Sequence, residues 1–124
     1  MTDMFRNFLL VGLGGFLGSM LRYAAWVITR PVNFPYATLL VNITGSLVIG
    51  ILAGLAARDG GFSLNWRLFL ATGICGGFTT FSAFSLENLQ MFQQEKYLLA
   101  LIYIAISIIA GIAAAWLGFK LAGS

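Results

Sequence analysis

Apolar positions in this chain fall into four long blocks separated by short polar interruptions. The blocks run over about residues 8–28, 36–57, 66–91 and 97–121. A bilayer core takes about 20 consecutive mostly apolar residues per helix, so each block is long enough to span it. The connections hold the turn-forming residues. Thr29 to Pro35 carries both prolines, Arg58-Asp59-Gly60-Gly61 ends the second block, and Gln93-Gln94-Glu95-Lys96 separates the third from the fourth. Nothing reads as a linker or low-complexity tail. The prediction is an all-α integral membrane protein of four transmembrane helices forming a single domain over residues 1–124.

Composition agrees. Of 124 residues 60% are hydrophobic and only 9% charged, against about 25% charged in soluble domains. So few charges cannot cover a water-facing surface. The net charge of +3 comes from scattered single Lys and Arg residues, with no cluster to grip nucleic-acid phosphates. They read as interfacial anchors, as do Trp26, Trp66 and Trp116 near the block ends. One cysteine, Cys75, and no histidine exclude an intramolecular disulfide, His-based catalysis and a His/Cys metal site. Arg6 before an apolar run suggests a leader, but Arg22 and Tyr23 follow and the apolar run resumes, so a retained helix is expected.

Positive charge sets membrane orientation. One side of a four-span chain would carry Arg6, Arg58, Arg67 and Lys120, and the other Arg22, Arg30 and Lys96. Four against three is almost no bias. Such a chain can insert both ways, and two opposite copies can pair as an antiparallel dimer. The halves show no internal repeat, so pairing is how inverted symmetry would arise.

Small residues recur at four-residue spacing, as Gly14/Gly18, Gly50/Gly54 and Ser107/Gly111/Ala115. Such rows let helix backbones approach in lipid. They predict a bundle and name no substrate. Asn42 sits mid-block among Thr38, Thr44 and Ser46; it either bonds between helices or donates into a polar pathway. Arg22 either snorkels or lines an aqueous vestibule.

The third block carries the most chemistry. Residues 73–80 include Gly73, Gly76, Gly77, Thr79 and Thr80, poor helix formers. A helix broken near mid-membrane is expected there, tolerated only where it is buried or lines a cavity. Beyond it Thr79, Ser82 and Ser85 recur every three residues, as do Phe78, Phe81 and Phe84, which predicts neighbouring stripes of hydroxyls and rings. Ring edges are electropositive, so these stripes either pack or face an anion. Glu87 follows as a vestibule residue, a proton acceptor or an interfacial charge.

These residues carry a resemblance along essentially the whole chain. Gly14-Gly15-Phe16-Leu17-Gly18 with Arg22-Tyr23, Thr38 to Asn42 with Gly45, and above all Gly76-Gly77-Phe78-Thr79-Thr80-Phe81-Ser82 with Phe84 and Glu87 resemble the Fluc (CrcB-type) fluoride channels. The resemblance implies an antiparallel, dual-topology homodimer in the bacterial inner membrane that exports fluoride passively and so limits its toxicity. It implies a structural sodium ion held between subunits by the main-chain carbonyls of Gly76 and Thr79. It implies a fluoride path past Asn42, Phe81, Phe84, Ser82 and Thr38, a polar track at Tyr103 and Ser107, and a vestibule with Arg22 and Glu87. Ala83 departs from the Thr common at that place, which removes a hydroxyl there.

The rival reading is a small proton-coupled drug antiporter of four helices. It needs a membrane-embedded carboxylate, and Glu87 is the only one near a helix body. A structural subunit would leave the Gly-Thr-Phe-Ser run without a role, and an enzyme would need a nucleophile–base pair that the sequence lacks. The charge balance makes one prediction: a cysteine introduced near the N-terminus and labelled in intact cells reacts from both sides of the membrane. A single orientation in every cell overturns dual topology.

Overall fold

The computed structural model describes residues 2–30, 34–58 and 61–123. Helices α1 (Thr2–Thr29), α2 (Tyr36–Ala57) and α5 (Tyr97–Gly123) are continuous. The third span consists of α3, residues 64–78, and α4, Phe81–Gln93. Within α3, Leu64–Arg67 and Gly76–Phe78 are α-helical and Leu68–Cys75 is π-helical. Among the described residues four helical spans are long and apolar enough to cross a membrane, as the hydropathy blocks predict. The turn residues expected at Pro31, Val32, Asn33, Asp59 and Gly60 lie outside the described residues.

Local chemistry sets the described boundaries. Pro35 precedes α2, where a missing N–H is harmless. At the end of α4 the chain reverses through a Schellman turn. Glu95 N–H donates to the Phe92 carbonyl at 3.0 Å and Lys96 N–H to the Met91 carbonyl at 2.8 Å. Glu95 takes φ 60°, the left-handed conformation usually given to glycine.

The interior is small. Its buried apolar side chains are Ala37, Val41, Cys75, Met91, Ala100 and Tyr103, while most Leu, Ile and Phe point outward. In lipid, outward apolar residues lose nothing, and close backbone approach drives association instead. The small-residue rows provide it. Helix α1 packs on α3, where a Cβ on Gly73 would lie 2.8 Å from Gly14 Cα and one on Gly77 2.9 Å from Gly15 Cα. Helix α2 packs along α5, where a Cβ on Gly50 would lie 2.9 Å from Ala115 Cα. Gly111 is looser, facing Ser46 Oγ at ordinary contact distance.

Among the described residues the one salt bridge, Arg6–Asp3 at 3.5 Å, is exposed and adds little. Stability therefore rests on the crossings. Gly73→Val should destabilise the protein by about 1–3 kcal/mol through overpacking. Gly12→Ala, where a Cβ meets nothing within 4 Å, should stay within about 0.5 kcal/mol of the parent. Thermal unfolding in detergent checks the pair; equal effects overturn the crossing as the source of stability.

Candidate functional site

The site is built around the two residues between α3 and α4. Thr79 (φ −85°, ψ 155°) and Thr80 (φ −152°, ψ 118°) are extended. Extended backbone frees N–H and C=O groups that apolar surroundings cannot satisfy. Side chains take them up. Asn42 on α2 uses both ends of its amide: Oδ1 accepts from Thr80 N–H at 2.8 Å and Nδ2 donates to the Thr80 carbonyl at 3.2 Å. Arg22 on α1 donates from Nε to the Gly77 carbonyl at 3.1 Å. Thr79 closes α3, its N–H and Oγ1 both donating to the Cys75 carbonyl, at 3.0 and 2.9 Å. Thr80 opens α4 as its N-cap, Oγ1 accepting from Ala83 N–H at 3.2 Å.

This geometry corrects the stripe expectation. Phe78 belongs to α3 and Thr79 to the extended pair, so neither continues the helical rows of α4. The rows that exist are Phe81/Phe84 and Ser82/Ser85. Gly73, Gly76 and Gly77 remain helical. Two of them, Gly73 and Gly77, serve the crossing with α1, where a missing side chain admits a second backbone.

Beside the extended pair lies a groove of about 430 Å³. It gathers Asn42, Gly76, Thr79, Phe81, Phe84 and Ser107, with Ser46, Cys75 and Thr80 among its other walls. The Phe81 and Phe84 rings are 5.8 Å apart and inclined by 39°. Phe84 leans on Tyr103 at 5.0 Å, whereas Phe81 is 78% exposed. Ser107 Oγ is buried with no hydrogen-bond partner among the described residues. Ser82 is not among the groove's walls; its exposed hydroxyl lies 3.2 Å from that of Thr80.

A second cavity, of about 310 Å³, gathers Arg22, Thr38 and Glu87 with Tyr23, Trp26 and Thr80. Glu87 Oε2 accepts from Thr38 Oγ1 at 2.7 Å, and Oε1 from Tyr103 Oη at 2.8 Å. One carboxylate thus ties α2, α4 and α5 together. Tyr103 is fully buried and also meets Phe34 edge-on at 5.2 Å. Thr38 and Tyr103 therefore sit with Glu87 rather than on the walls of the groove.

Three features escape the sequence reading. Thr80 is the hub shared by both cavities; its signal was a Thr ahead of an apolar helical run, the mark of an N-cap. Trp26 walls the second cavity and stacks with Tyr23, centroids 6.1 Å apart at 16°, which an anchor near a helix end does not announce. Asn88 is buried, with Nδ2 donating to the Phe84 carbonyl at 2.9 Å, and its amide gave no periodic signal.

Asn42 is the testable centre of this arrangement. Asn42→Leu strands both polar groups of Thr80, and an unsatisfied group costs about 1–3 kcal/mol. Thr38→Val removes one hydroxyl bond and should cost about 1 kcal/mol. An Asn42→Leu protein as heat-stable as the parent would show that the amide does not hold the extended pair.

Among the described residues no cluster of three His, Cys, Asp or Glu side chains could bind a metal. Residues 9–119 match the family model described as CrcB-like protein, Camphor Resistance (CrcB). A relative from Azobacteroides pseudotrichonymphae, named a fluoride-specific ion channel, is 44% identical over 95% of this chain and 97% of its own length. One of the same name from Hyphomonas neptunium is 46% identical over 94% of each chain, and one from Flavobacterium psychrophilum 44% identical over 90% and 93%. With its four spans, the chain is a multi-pass protein of the bacterial inner membrane. It belongs to the CrcB-like family, whose members are ion channels and not enzymes.

Proposed function

We propose that the protein is a passive fluoride-selective channel acting as an antiparallel homodimer, and that export of fluoride protects the cell from its toxicity. The observation that carries this reading is the groove walled by Phe81, Phe84 and Ser107, whose buried hydroxyl oxygen has no hydrogen-bond partner among the described residues. An anion entering lipid must replace its water, and an uncompensated charge there costs several kcal/mol or more. Ring edges and hydroxyl donors supply replacements. Asn42 adds one: an amide nitrogen has two hydrogens, and only one is engaged by the Thr80 carbonyl. The names of the relatives support fluoride as the ion.

Within that pathway Phe81 and Phe84 present ring edges and Asn42 and Ser107 donate hydrogen bonds, joined by Ser82 from beside Thr80, outside the groove's walls. Thr38 and Tyr103 fix the Glu87 carboxylate, and Arg22 sets a positive potential at the mouth. What one chain leaves uncovered supports the dimer. Gly76, Ser82 and Ser85 are exposed, and a lone chain would turn them to lipid, along with the carbonyls at the end of α3. A second copy in the opposite sense covers them, and the near-balanced basic residues allow that orientation.

A sodium ion fits between such copies. Hydrogen bonds already occupy the carbonyls of Cys75, Gly77 and Thr80. Among the described residues the carbonyls of Gly76 and Thr79 have no partner beyond the ladder, and both residues line the groove. Carbonyls freed at a helix interruption are suited to sodium. Sodium would supply a fixed positive charge and hold the two subunits together.

A proton-coupled antiporter is not favoured. Its switch carboxylate would be Glu87, whose two oxygens both accept bonds from hydroxyls.

Purified protein in liposomes loaded with fluoride or chloride decides the matter with ion electrodes. Fluoride should leave far faster than chloride, without a proton gradient. Equal rates, or flux that needs a proton gradient, overturn the reading. The Phe81→Ile, Phe84→Ile double variant keeps apolar bulk without a quadrupole. It should stay dimeric and lose most fluoride flux; normal flux shows that the rings do not carry the ion.

A further inference from the structure

Arg22 is spent on backbone as well as on charge. It lies one turn beyond Gly18 on the face of α1 that meets α3. Helical side chains lean toward the N-terminus of their own helix, so Arg22 reaches back to the level of Gly77. There Nε, not the guanidinium tip, donates to the carbonyl. The last turn of α3 thus ends with its acceptors divided. Cys75 O holds Thr79, Gly77 O holds Arg22, and Thr80 O holds Asn42. The carbonyls of Gly76, Phe78 and Thr79 remain; of these residues Gly76 and Thr79 line the groove, and no side chain screens Gly76: a Cβ there would meet nothing within 4 Å.

Within a helix the hydrogen-bond ladder holds φ and ψ near one value, so successive carbonyls keep a fixed relation to one another. Anchoring Gly77 toward α1 therefore fixes where the Gly76 carbonyl points. We propose that Arg22 is a positioning residue that orients the Gly76 carbonyl for the cation, independently of any attraction its charge exerts on anions. This rests on the sodium reading above.

Two substitutions separate the bond from the charge. In Arg22→Gln the side-chain nitrogen Nε2 falls at the same bond count from Cα as arginine Nε, so the donor stays and the charge goes. In Arg22→Met a methyl group stands there, so both go. The readout is thermal unfolding of the purified dimer as sodium replaces N-methylglucamine at constant ionic strength. The wild type should gain stability with sodium. Arg22→Gln should keep nearly the wild-type sodium midpoint. Arg22→Met should need about tenfold more sodium, the equivalent of one lost hydrogen bond, and recover at saturation.

A sodium-dependent wild type with an unshifted Arg22→Met midpoint overturns the positioning role and leaves the sodium site standing. Equal shifts in both variants assign the effect to charge and overturn it too. Arg22→Met that stays unstable at saturating sodium marks Arg22 as a general folding residue, which also overturns the positioning role. A wild type indifferent to sodium removes the cation reading and this proposal with it.

Discussion

Everything distinctive here depends on satisfying a stretch of extended backbone where water is absent. Two residues leave the helical ladder, and each freed group needs a partner within the bundle. The Asn42 amide is the decisive one, because a carboxamide presents a donor and an acceptor with the spacing of a peptide group. It meets Thr80 as a neighbouring strand would. Replace it with an apolar residue and the interruption loses its hydrogen-bonded hold on α2. The groove, the capped start of α4 and the exposed end of α3 all follow from that pairing.

The polar residues divide their labour accordingly. Some complete the fold: Thr79 back-bonds to Cys75, Thr80 caps α4, and Thr38 and Tyr103 hold Glu87. Others keep capacity in reserve, above all Ser107, buried yet unpartnered among the described residues. A buried polar atom without a partner is costly in a finished structure, and Ser107 is one of the residues that wall the groove.

Much of the fold was legible from the residues. The second span, 36–57, coincides with α2 because Pro35 starts it and Arg58 follows it. The ends of α1 and α5 run past the hydropathy blocks, since polar residues such as Thr2 and Asp3 extend a helix without adding hydropathy. Composition leads one to expect a break in the third span, and Thr79 and Thr80 are the two extended residues there. Glycines and threonines both disfavour helix, and sequence alone cannot say that the glycines are there for α1 while the threonines are extended. At the site, Asn42, Phe81, Phe84 and Ser107 share a groove, but Thr38 and Tyr103 turn to Glu87. That depends on how α2, α4 and α5 are rotated about their axes, which a nearly uniform apolar pattern does not specify.

The order of packing has a consequence for biosynthesis. The glycine face of α1 finds its complement in residues 69–78; on α2, Gly45 meets Phe78 and Thr79, and Gly50 and Gly54 meet the last part of α5, around Ala115 and Phe119. Each early span therefore enters the bilayer before its partner has been made. The bundle cannot close span by span; it closes when the last helix arrives. Until then the first two helices hold bare backbone stripes open to whatever else is in the membrane, and a ribosome stalled before α5 would leave α2 in that state.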